Sequence, residues 1–185
     1  MGGAKGPTYR VPFRRRRKGK TDYRGRLKLL LSRKPRVVVR KSNRQIRLQL
    51  VSTAMQGDHT LVAAMSSELA IYGYVGGTSN SASAYLTGLL LGRRALDAGY
   101  TDGVLDIGRY TPAKGANVYA ALKGAVDGGM NIPCDPSVFP PEERIFGAHI
   151  ASFRGDSAIV DMVRSIKEKI MSEQRKEKED ETSTE

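Results

Sequence analysis

The run Gln45-Ile46-Arg47-Leu48-Gln49-Leu50 alternates polar and apolar residues without a break. Strand side chains point to opposite faces with a period of two, so this run has one buried and one wet face. It demands a sheet covered on one side by the rest of the chain. Arg36-Val37-Val38-Val39-Arg40 reads as a strand before it, joined by the polar, turn-like Lys41-Ser42-Asn43-Arg44. A turn at Gln56-Gly57-Asp58 leads to a third strand of small and apolar residues from Thr60 to Ser66. Three successive strands with short turns make an antiparallel meander.

The period then changes. Gly73 to Ser79 is a glycine-rich loop, and Asn80 or Ser81 can cap a helix running to about Ala98, with Tyr85, Leu89 and Leu96 on one face and Gly99 as its stop. Gly88 and Gly92 cost this helix stability, so they predict a close approach, read here as one to the sheet. Gly103 to Ile107 is a short buried strand. A second helix is expected over about Gly115 to Asp127, with Val118, Leu122, Ala125 and Val126 inward, and a last short strand over Met130 to Cys134. The order β-β-β-α-β-α predicts an α/β fold, a mixed sheet covered by helices. Four prolines between Pro133 and Pro141 predict an extended arm over 135–154. A third helix is expected from Asp156, its apolar residues Ile159, Val163, Ile166 and Ile170 at helical spacing. Residues 173–185, charged and rich in Ser and Thr, read as a disordered tail.

Charge narrows the function. Residues 1–50 hold 18 of the 31 Lys and Arg but only Asp22 among the acids, a net +17; residues 51–185 hold 13 bases and 18 acids, a net −5. Segregation of this kind is the footprint of a polyanion partner. No amphipathic apolar face accompanies Arg14-Arg15-Arg16-Arg17-Lys18, which favours nucleic acid over an anionic membrane. No apolar run is long enough to span a bilayer, and the basic N-terminus has no apolar stretch behind it to form a signal peptide. Cys134 is the single cysteine, which excludes an intrachain disulfide and a cysteine-based zinc site and fits a reducing cytoplasm. The chain divides into a basic RNA-binding arm (1–26), a folded α/β domain (27–134), an extended arm with a C-terminal helix (135–172) and the charged tail.

Sites of catalysis are hard to find. Gly73-Tyr74-Val75-Gly76-Gly77-Thr78 lacks the Gly-Lys-Thr ending of a nucleotide loop and reads as a tight turn into a helix. The helix N-terminus near Thr78 and Asn80 could still hold an RNA phosphate through backbone N–H groups. His59 and His149 are far apart and have no acid–histidine pattern beside them. Asp106 ends a predicted central strand, and nucleases related to ribonuclease H use this element order. They need clustered carboxylates to hold metal ions. Here the first strand offers Arg36 and Arg40 instead, and the first helix has no acid before Asp97, so a cap or salt-bridge role suits Asp106 better. No metal, cofactor or small-molecule substrate is expected, and no enzymatic activity. A DNA-compacting protein would carry bases at both ends, whereas this C-terminal tail is rich in acids.

The basic segment is more informative. In Lys20-Thr21-Asp22-Tyr23-Arg24-Gly25-Arg26-Leu27, Tyr23 either stacks on an exposed base while Arg24 and Arg26 bind phosphates, or anchors the arm on the core. Arg36, Arg40, Arg44 and Arg47 carry the basic surface onto the meander. Arg36 and Arg40 lie an even number of residues apart, so they share a face and are expected to read RNA shape together.

Thr21-Asp22-Tyr23-Arg24-Gly25-Arg26-Leu27-Lys28-Leu29-Leu30 and Lys34-Pro35-Arg36-Val37-Val38-Val39-Arg40-Lys41-Ser42-Asn43 resemble the ribosomal protein L-eighteen family of the large subunit. So do Ala84 to Gly92, Leu105 to Gly108 and Ala120 to Gly129, five motifs in order over most of residues 8–134. Residues 135–172 resemble the extension of archaeal and eukaryotic members. The resemblance implies a non-catalytic fold of the ribonuclease-H-like arrangement. It implies a binder of 5S rRNA that attaches it to large-subunit (23S-type) rRNA in the central protuberance of the cytoplasmic ribosome, beside ribosomal protein L-five and other proteins there. Together, charge and resemblance nominate Arg10, Arg14, Arg15, Arg16, Arg17, Lys18, Lys20, Tyr23, Arg24, Arg26, Lys28, Arg33, Lys34, Arg36, Arg40, Lys41, Asn43, Arg44, Arg47, Thr78 and Asn80 as RNA-binding.

Overall fold

A computed structural model describes residues 6–155 and 158–182, with side chains described as far as Ser172. Strands β1 (Arg36–Lys41), β2 (Ile46–Ala54) and β3 (Gly57–Met65) form the antiparallel meander, and β4 (Val104–Asp106) joins β1 in parallel, giving the order β3-β2-β1-β4. The α/β reading of the sequence therefore holds, a mixed sheet with helices. Two boundaries differ. Ala54 pairs with Gly57, so the turn is Met55-Gln56 and Asp58 belongs to β3. Asn131 makes only an isolated bridge to Asp102, so no strand forms over Met130 to Cys134.

The alternation of β2 has the predicted consequence: Ile46, Leu48 and Leu50 are fully buried, while Arg47 is exposed. Their face lies against helix α3 (Ser81–Asp97), which also packs on α4 (Asn117–Asp127). Asn80 caps α3 by accepting from the Ser83 N–H at 2.7 Å. Thirteen residues of α3 are buried, not one stripe, because sheet, α4 and a C-terminal helix enclose it. The glycines record this enclosure. A Cβ at Gly88 would stand 2.0 Å from the Ala121 carbonyl oxygen, and one at Gly124 would stand 2.0 Å from the Tyr85 carbonyl oxygen. The close approach is thus to α4, not to the sheet.

The sequence reading of 135–154 as an extended arm is overturned. This stretch holds a short 3-10 turn (Pro136–Val138), helix α5 (Glu142–Ile145) and helix α6 (Ala148–Arg154). Its prolines sit at or before first turns, where a missing N–H costs nothing: Pro136 opens the 3-10 turn and Pro141 is the N-cap of α5. Ile145 is buried, and Phe146 meets Tyr85 edge-on at 6.2 Å. Helix α7 (Ala158–Thr182) packs on α3 through fully buried Val163, Ile166 and Ile170. Asp156, from which this helix was expected to start, lies outside the described residues. The helix also runs to Thr182 through the stretch read as a disordered tail. Glu, Lys, Gln and Arg favour a helix wherever one has already been nucleated.

Candidate nucleic-acid interface

The second face of the sheet carries the charge. Side chains of Arg36, Val38 and Arg40 on β1 point away from α3 and α4, as do Arg47, Gln49 and Val51 on β2, following the register Arg40↔Arg47, Val38↔Gln49 and Arg36↔Val51. Over this face lies the arm. Helix α1 (Arg14–Arg17) buries nothing, and helix α2 (Tyr23–Leu30) is capped by Asp22, whose carboxylate accepts from the Arg24 and Gly25 N–H groups at 3.1 and 3.2 Å. The second half of the arm is therefore held in helical form in part by its own acid.

Beneath α2 sits an ion-pair network. Arg36 is only 3% exposed; its Nη1 donates to Asp106 Oδ2 at 2.7 Å and its Nη2 to Asp58 Oδ2 at 2.8 Å. Arg26 donates to the other Asp58 oxygen at 2.8 Å and so ties α2 to β3. Arg40 donates to Asp106 Oδ1 at 3.3 Å and to the Asp106 and Val39 carbonyl oxygens at 3.0 and 2.8 Å. Asp106 also accepts from the Gly108 N–H at 2.8 Å. The salt-bridge reading of Asp106 holds. The expectation that Arg36 reads RNA does not: its guanidinium is buried and spent on two carboxylates. Asp58 and Asp106 lie 22 and 70 positions away in the chain, beyond any local pattern. Asp58 was missed as part of a turn; the only clue was its even spacing from Thr60 on a strand.

Burial raises the Asp58 pKa, but the hydrogen bond and charge of Arg36, then Arg26 and Thr53, outweigh it and hold the carboxyl below its usual value of 3.8. A depressed carboxyl pKa adds stability above the unfolded value, lost as pH falls through the folded one. We predict that Asp58→Asn flattens the decline of thermal stability below about pH 4; an unchanged acid limb would remove Asp58 from this role.

Most other nominated residues remain at the surface, and Arg15 Nε there donates to Thr21 Oγ1 at 2.8 Å. Arg10, Arg14 to Lys18, Lys20, Arg24, Lys28, Arg33, Lys41, Asn43, Arg44 and Arg47 are all exposed. Tyr23 is 37% exposed and meets Phe13 at 5.8 Å; its ring holds arm to arm and stays open to a base. Lys34 is exposed but pairs with Asp102 at 3.0 Å. Thr78 donates to the Arg44 carbonyl, and Ser79 donates to the Ser42 carbonyl at 2.6 Å, so the glycine-rich loop braces the β1–β2 hairpin. Asn80 is committed to the cap and to Tyr74 at 3.1 Å. The structure thus uses the Thr78 and Asn80 side chains internally, to present Asn43 and Arg44 at a rigid tip. Tyr110 secures the strand end, accepting from the Lys41 N–H at 2.9 Å and donating to its carbonyl. Arg109, not foreseen, lies within 4.0 Å of the Cβ position of Gly19 and so joins arm to sheet edge. Among the described residues no group of three or more His, Cys, Asp and Glu could hold a metal ion, and no helix is long and apolar enough to cross a membrane.

Residues 7–104 match the family described as ribosomal large subunit proteins 60S L5 and 50S L18. The chain belongs to this family. It is similar to large ribosomal subunit protein uL18 of Methanococcoides burtonii, 54% identical over 170 residues that cover 92% of this chain and 98% of that one. It is 56% identical to uL18 of Methanoculleus marisnigri over 84% of this chain and 89% of that one. With uL18 of Methanothrix thermoacetophila it shares 50% over 91% of this chain and 99% of that one. Family membership makes the chain a structural constituent of the large ribosomal subunit, working inside a ribonucleoprotein.

Proposed function

We propose that the chain binds 5S rRNA and attaches it to the large-subunit rRNA in the central protuberance, next to ribosomal protein L-five, and has no catalytic role. The observation that carries this reading is the meeting of two unlike basic elements on one surface. The arm supplies Arg14 to Arg17 on a short exposed helix without buried side chains, a dense source of phosphate contacts. The hairpin supplies Lys41, Arg44 and Arg47 on rigid strands and a braced turn, able to match the shape of a folded RNA. Arg15, Lys20 and Arg40 line one cleft, so the two elements act on the same RNA.

Gel shifts with 5S rRNA, tRNA and duplex DNA at physiological salt test the reading, with 5S rRNA expected to bind tightest; equal affinity for all three would overturn it. Deleting residues 1–20 is expected to weaken 5S rRNA binding at an unchanged melting temperature, lowering the salt slope by roughly 0.7–0.9 for each lost phosphate contact. An unfolded truncated protein would show that arm and domain are not separable. Arg44→Ala with Arg47→Ala should narrow the preference for 5S rRNA over tRNA, and equal losses for both RNAs would refute a shape-reading hairpin.

A further inference from the structure

The outer face of this sheet is neither fully covered nor fully polar. Val38 and Val51 are 9% and 5% exposed on it, although α2 above them contributes no buried residue. Between arm and sheet remains a cleft of about 540 Å³. Its floor is Val38, Gln49, Val51 and Thr60, with Leu29, Leu105 and Ile107 at its apolar margins. Six bases line it, Arg15, Lys20, Arg26, Lys28, Arg36 and Arg40, against three carboxylates, Asp22, Asp58 and Asp106. The carboxylates are committed to the α2 cap and to arginines 26, 36 and 40. Lys20 and Lys28 have no ion-pair partner among the described residues, so the rim keeps its positive charge.

A floor of two valines beside Gln49 and Thr60, under a cationic rim, matches a heterocyclic base joined to a phosphate. A free anion would have no use for Val38 and Val51, and an apolar side chain would have none for Lys20 and Lys28. From this we infer that the cleft between α2 and the outer sheet face takes one unstacked ribonucleotide of the bound RNA, its base on the Val38–Gln49–Val51 floor and its phosphates on Lys20, Lys28 and Arg15. The inference rests on the RNA-binding reading above. Single-stranded bases are the parts of RNA that proteins read most readily, by stacking and by hydrogen bonds to their edges. Gln49 offers both a donor and an acceptor for such an edge.

Thr60→Trp fills the cleft from an exposed strand position without changing charge. It is expected to weaken 5S rRNA binding by about tenfold or more, and to lower the salt slope by roughly 0.7–0.9 for each phosphate contact displaced from Lys20, Lys28 and Arg15. Affinity within twofold of wild type, in a variant that melts like wild type, would overturn the inference. A second measurement needs no variant: millimolar adenosine or uridine 5′-monophosphate should shift the NMR signals of Gln49 and Thr60 in the full chain, and inorganic phosphate alone should not. Absent shifts, or equal shifts with inorganic phosphate, would also overturn it. A wild-type chain that fails to select 5S rRNA would instead sink the functional reading, and the two failures are told apart in the same gel shift.

Discussion

Gly124→Ala is expected to destabilise the fold by about 3–4 kcal/mol, since overpacking a well-filled core costs up to 3 kcal/mol and backbone clashes exceed it. In a chain of this length that corresponds to a melting temperature lower by roughly 10 °C. The reason is geometric. The added Cβ would stand 2.0 Å from the Tyr85 carbonyl oxygen and 2.8 Å from the Leu89 nitrogen, both backbone atoms of α3 that no rotamer change can move. Gly88→Ala meets the mirror situation at Ala121, so it should behave alike. Relief requires α3 and α4 to separate, which opens the core formed by Leu86, Leu89, Ala121 and Ala125. Gly77→Ala is the control: its Cβ would meet only the Asn80 amide at 3.7 Å, an ordinary contact. Thermal melting of the three variants decides the matter. Equal melting of Gly124→Ala and wild type would mean that the two helices do not touch backbone to backbone.

Asp106→Ala is expected to cost about 3–5 kcal/mol, the loss seen when one partner of a buried pair is removed and the other charge stays buried. Arg36 would keep Asp58, itself half-exposed, but lose its nearest carboxylate at 2.7 Å. Arg40 would lose an anchor too, and the Gly108 N–H an acceptor. The double variant Arg36→Met with Asp106→Leu removes both buried charges together and should be markedly more stable than Asp106→Ala alone. Arg36→Lys should not substitute, because a single ammonium cannot reach two carboxylates with the fixed fork of a guanidinium. Denaturant titration of the set ranks the losses. If Asp106→Ala costs less than the double variant, the network is not what supports Arg36.

The two expected losses lie at opposite faces of the sheet, and they differ in how far the sequence foretold them. Gly88 and Gly92 stood out as a pair that must meet something close, because glycine inside a helix is costly; the partner was misjudged. Nothing in the run Arg36 to Arg40 distinguished a buried arginine from an exposed one. Both lie on the face that period two assigns to them, but α2 and Asp58 cover one while the other reaches the rim with its side chain 44% exposed. The four prolines misled for a related reason: proline breaks a helix only from its interior, and whether Pro136 and Pro141 begin helices or prevent them depends on what Ile145 and Phe146 can pack against.

Local patterns by themselves determined the meander, the two core helices, the inward stripe of α7 and the concentration of basic charge in the first fifty residues. Period, caps and charge density act between residues close in the chain, so they are legible there. Tertiary structure alone decided which glycines face which backbone, which arginine is spent inside, and that an arm and a sheet enclose a cleft between them. These are meetings of groups tens of residues apart. Their energies depend on burial and distance, which a linear order of residues does not contain.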